Sequence, residues 1–230
     1  MHIEPGVVDG AKLMLSYGTA LAVFAYTAKL AWGTIRQDGA ATLGIRSLIA
    51  AALVFCFFQV FPHYPVGVSE VHLIFGSTLF LVFGVAPAAI GLAAGLLLQG
   101  LFFAPGDLPQ YGMNVTTLLV PLLALSVLAR RIVPAHTVYK DVTYSQCLAL
   151  SAAYQGGVVA WVAFWAIYGQ GAGAANLAQI ASFGAAYMVV VLIEPVVDLM
   201  VLGAVKTLDR MRDSRVFQRR LYHVPAVVRH

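Results

Sequence analysis

From Leu73 to Ala104 the chain runs for 32 residues without one charged side chain. A membrane-spanning helix needs about 20 apolar residues. The run is therefore too long for one ordinary helix and short for two full ones. Further apolar stretches cover residues 11–35, 41–61, 113–129, 144–168 and 177–205. Charged residues make up only 10% of the chain and hydrophobic ones 60%, whereas soluble domains carry about 25% charged residues. With a mean hydropathy of +0.84, the chain has more apolar surface than a water-facing fold of this size can hide. A bilayer is the solvent that fits. The expected fold class is an all-α integral membrane protein, a bundle of about seven transmembrane helices. Every polar interval is too short to fold alone, so residues 1–230 read as a single transmembrane domain.

The long run is expected to break at Gly84-Val85-Ala86-Pro87, because proline removes a donor and restricts the residue before it. That places a short third helix at about 73–84 and a fourth at 87–104. With about a dozen residues the third helix rises only about 18 Å, short of the hydrocarbon thickness of about 30 Å. The preceding stretch, FPHYPVGVSEVH, must then dip into the bundle. Backbone without helix is tolerated at that depth only where protein buries it or a polar cavity receives it. His72, at the mouth of the third helix, is expected below the surface.

Basic residues sort by connection. Arg36 and Arg46 flank the first, and Arg130, Arg131 and Lys140 fall in the fifth-to-sixth. Lys206, Arg210, Arg212, Arg215, Arg219, Arg220 and Arg229 fill the tail, while connections 62–72, 105–112 and 169–176 hold no Lys or Arg. The positive-inside rule puts the basic set in the cytoplasm. Seven spans then leave Met1 outside and His230 inside, with 206–230 as a basic cytoplasmic tail lying on anionic headgroups or docking a partner. Localisation is expected in the cell membrane. The opening MHIEPGVVDG has no basic start and no small-residue cleavage site, so it does not read as a secretory signal. Cys56 and Cys147 both fall in apolar runs and are expected as small core residues rather than a disulfide or metal pair.

His2 puts three nitrogens in a row: the α-amine of Met1, the amide of His2 and its imidazole. Folded around one cation they close two chelate rings. Nitrogen ligands in a plane suit Ni(II), Cu(II) and Co(II). The plainer reading is that any protein can carry histidine second.

Four stretches resemble the CbiM/NikM family, the substrate-binding subunits of cobalt and nickel energy-coupling-factor (ECF) transporters. They are MHI at the start, VHLIFGSTL at 71–79, LLLQGLFFAPGDLPQYGMNV at 96–115 and IEPVVDLMVLG at 193–203. The resemblance implies capture of Co2+ or Ni2+ as transported substrate, held by the Met1 amine, the His2 amide and imidazole, and His72. Residues 1–10 would be the metal-binding segment. His63, between Pro62 and Pro65, is the other candidate to complete the four nitrogens. His72 is preferred because it opens the short helix. The plainer reading of His72 is a hydrogen-bonded interfacial histidine with no metal. The opening departs from the commoner pattern, with Glu4-Pro5-Gly6 where Pro-Asp-Gly is usual, so the acidic group has moved. Ligating histidines need outer partners. Glu70 is a candidate, as are Asn114 and Gln99 as loop and site supports. By analogy Asn114 holds the N-terminal segment in place.

The resemblance further implies an ECF coupling membrane subunit and ATPase subunits, with a small accessory membrane subunit in some relatives, and a link to cobalamin synthesis. The chain has no G-x-x-x-x-G-K-[ST] loop and cannot drive uptake alone. No enzymatic role, prosthetic group or nucleic-acid partner is expected. A competing reading builds a proton- or catalysis-related membrane subunit on Glu194 and Asp198, which are spaced to share a helix face. Polar groups in apolar runs are costly and functional by default, although Glu194 could equally pair with a helix-end donor and Asp198 face a partner. Gly91-x-x-x-Gly95 is expected to let helices approach closely, and Gly156-Gly157 to do so or to permit a bend.

Overall fold

The computed structural model describes residues 3–212, with side chains to 210. Seven α-helices follow one another: α1 Leu13–Asp38, α2 Ala40–Gln59, α3 Gly76–Phe83, α4 Val85–Phe102, α5 Tyr111–Ile132, α6 Tyr144–Gln170 and α7 Ala174–Arg212. A small antiparallel hairpin, β1 Tyr64–Val66 and β2 Ser69–Val71, lies between α2 and α3. All the long helices, six in number, are apolar and long enough to cross a membrane. In hydrocarbon a backbone must satisfy its own polar groups, which is why such a sequence becomes helix almost throughout.

The exception is α3. Its eight residues rise about 12 Å, so it cannot span alone. It packs against α2, α4, α5, α6 and α7 and so sits in the middle of the bundle. The helix is shorter at its start than the sequence suggested. Residues 72–75 have no regular structure, and the polar stretch ahead of them forms the β-hairpin. The break before α4 falls at Gly84, where φ is +90°, the first residue of the expected break, so α4 begins at Val85, two residues earlier than expected. Pro87 is the third residue of α4, a position whose N–H has no intrahelical partner anyway.

The close approach expected of Gly91 and Gly95 is made against α2. A Cβ on Gly91 would lie 2.9 Å from the Ala50 carbonyl carbon, and one on Gly95 2.6 Å from Val54 Cγ1. Gly157 brings α6 onto Pro121 of α5 in the same way, whereas Gly156 faces open space. Helix α6 begins with a reciprocal cap: Gln146 N–H donates to Thr143 Oγ1, and Thr143 N–H to Gln146 Oε1. Cys147 is buried, but Cys56 is exposed on α2, so the core placement expected of both holds for one; both are free thiols.

Contacts sort the connections to two ends. At one end Lys12 donates to the Gly169 carbonyl and Tyr17 to that of Pro109. At the other Lys140 pairs with Asp209, and Arg46 with Asp38. The hairpin and the start of the chain share the first end; the paired basic residues Arg46 and Lys140 lie at the second. Residues 213–230, most of the predicted tail, fall outside the described residues.

Candidate functional site

Met1 and His2 lie outside the described residues, so the site is built from what adjoins them. Ile3 forms an isolated antiparallel bridge with Ser69, and Glu4 N–H donates to the Val68 carbonyl at 3.1 Å. The start of the chain thus adds to the hairpin by backbone pairing. Ile3 is buried, as are Val7 and Val8, so the segment is anchored by apolar side chains as well. Asn114, in the first turn of α5, accepts the Ile3 N–H at 2.8 Å in a buried bond. Gly169 leaves room for the segment to cross the end of α6, where any side chain would meet the Val7 carbonyl.

His72 leaves the hairpin three residues after Ser69. Its side chain is fully buried, and Nε2 lies 2.7 Å from Glu70 Oε2. Residues two apart in an extended chain point to one side, which brings the carboxylate to the imidazole. His63 stacks on His72 with ring centroids 4.8 Å apart and planes within 9°, and Phe58 packs on the same ring at 5.3 Å. The two candidate histidines are therefore neighbours. Glu4, partly buried, has its proton affinity raised by burial, then by the negative charges of Glu70 and Asp107. The end of the bundle that holds His72 is thus acidic. Among the described residues no three His, Cys, Asp or Glu side chains converge on one point.

Gln99 is buried in α4, and its Oε1 meets no donor among the described residues. Glu194 and Asp198 are buried in α7 and turned toward the start of α3. Glu194 accepts the N–H of Ile74 and the amide of Gln155. Asp198 accepts the hydroxyls of Ser77, at 2.5 Å, and Thr78. Donors from the stretch that opens α3, the Ile74 N–H and the Ser77 and Thr78 hydroxyls, thus meet two buried carboxylates that need them. Gln155, Tyr187, Ser77 and Thr78 were not singled out from sequence. The available signal was a glutamine in the middle of an apolar helix.

Fold and site together define a class: a multi-pass, all-α membrane protein whose opening segment pairs with a hairpin beside a buried histidine. The sequence profile of CbiM, the cobalt uptake substrate-specific transmembrane region, matches residues 2–212. The chain belongs to this family, and hence to the membrane proteins of metal uptake. No curated protein matches it. Two crystal structures share the fold. A truncated transition metal transporter superposes with TM-score 0.65 at 16% identity, covering 93% of this chain and 100% of that one. A transition metal transporter gives TM-score 0.65 at 16% identity, covering 96% of each chain.

Proposed function

We propose that the protein captures Co2+ or Ni2+ and carries it across the membrane as the substrate-specific subunit of an ECF-type ABC importer. The ion is held by the Met1 amine, the His2 amide nitrogen and imidazole, and His72. One observation carries this reading: Ile3 is bonded at Ser69 and Asn114 on the hairpin that delivers the buried His72. A residue reaches at most about 3.8 Å along the chain, and Met1 and His2 directly precede Ile3. Glu70 orients His72 from behind, as an acceptor does for a ligating imidazole. Nitrogen ligands favour late divalent metals over Mg2+ and Ca2+.

Capture takes place outside the cell, with the basic end in the cytoplasm. A coupling membrane subunit and ATPase subunits drive release, in some assemblies with a small accessory membrane subunit. In this role the chain serves cobalamin synthesis or nickel supply.

The test replaces His2 by alanine in the purified protein and follows Co2+ and Ni2+ binding by calorimetry. His2→Ala removes the imidazole that closes the second chelate ring and is expected to weaken binding by at least a hundredfold, as is His72→Ala. Wild-type affinity in both variants overturns the proposal.

A further inference from the structure

The segment that carries His72 is aimed from downstream. Residues 72–75 belong to neither strand nor helix, and Phe75 has a left-handed backbone with φ +53°. That conformation is costly for a bulky L-residue and persists only where the surroundings over-determine it. Here they do. Glu194 takes the Ile74 N–H with one oxygen and the Gln155 amide with the other. The Phe75 N–H faces the same carboxylate. Gln155 is itself fixed, its Oε1 accepting the Tyr187 hydroxyl at 2.6 Å. One turn along α7, Asp198 holds Ser77 and Thr78. At Gly76 any side chain would run into the Tyr154 ring.

We propose that Glu194 is a positioning residue for metal capture: through Ile74 and Phe75 it holds the left-handed turn that aims His72 at the ion, with Gln155 fixing the carboxylate. The inference rests on His72 as a ligand. Glu194 touches no ion; it sets the direction of the chain two residues past the imidazole. A merely structural Glu194 would support the bundle without altering the affinity of folded protein.

The test uses the purified full-length protein in detergent. Glu194→Gln keeps an acceptor for Ile74 but sets two amide NH2 groups face to face. The exchange Gln155→Glu with Glu194→Gln restores one donor and one acceptor across the pair and keeps the charge. Three readouts apply: Co2+ affinity of the folded fraction, the Co2+ absorption spectrum, and hydrogen exchange at Ile74 and Phe75 without metal. The single variant is expected to bind at least tenfold more weakly, with an altered spectrum and faster exchange at both amides. The exchanged pair is expected within threefold of wild type on affinity. If Glu194→Gln does not fold, Gln155→Ala loosens the same carboxylate and carries the same expectations.

Wild-type affinity and exchange in the folded single variant overturn the proposal. So does an exchanged pair that recovers amide protection without affinity. His72→Ala run in parallel separates the two readings. If it binds normally, metal capture at His72 fails; if it loses binding while Glu194→Gln does not, only the positioning role fails.

Discussion

The Ile3 N–H donates to Asn114 Oδ1 across 2.8 Å, joining residues 111 positions apart in a buried bond. Asn114→Leu removes the acceptor and strands a buried donor, which costs about 1–3 kcal/mol. The expected outcome is a helical bundle that still folds but binds Co2+ at least tenfold more weakly, read by circular dichroism beside calorimetry. Equal affinity would mean the segment is held without this bond.

Gly67 begins the two-residue turn of the hairpin with φ +63°, and its Cα faces the Gln179 backbone of α7 so closely that a Cβ would overlap it. Glycine adopts that φ without strain. Gly67→Ala should lift the hairpin from α7, lowering the midpoint of thermal unfolding by a few degrees and metal affinity with it. An unchanged midpoint would show that the hairpin can shift without loss.

Gly95→Leu tests the bundle instead of the site. A side chain there collides with Val54 on α2, and overpacking of this kind costs about 1–3 kcal/mol. Stability in detergent should fall, while the protein that remains folded keeps wild-type Co2+ affinity. A selective loss of affinity would place α2 and α4 in the capture step.

Binding through a deprotonated amide and neutral imidazoles must release protons. Calorimetry in two buffers of different ionisation enthalpy should therefore give different apparent heats, and affinity should tighten as pH rises from 6 to 8. Equal heats in the two buffers would rule out amide coordination.

The helices were legible because the bilayer is a demanding solvent. It accepts long apolar runs only as hydrogen-bonded helix, so length and hydropathy placed all six long helices to within a few residues, except that α7 runs on to Arg212, seven residues past its expected end. The short third element was legible for the same reason, since the run 73–104 could not hold two full spans. Which face of a helix looks inward was not legible from apolar run length, and Cys56 is exposed on α2. Which polar groups meet was not readable. Glu194 and Ile74 are 120 residues apart, and nothing in either stretch names the other. Sequence determined that the chain crosses the membrane repeatedly and that its costly buried acids must find donors. Only the tertiary structure decided which donors: it set the opening of a helix too short to span against α7, where the Ile74 N–H meets Glu194 and the Ser77 and Thr78 hydroxyls meet Asp198 just past His72.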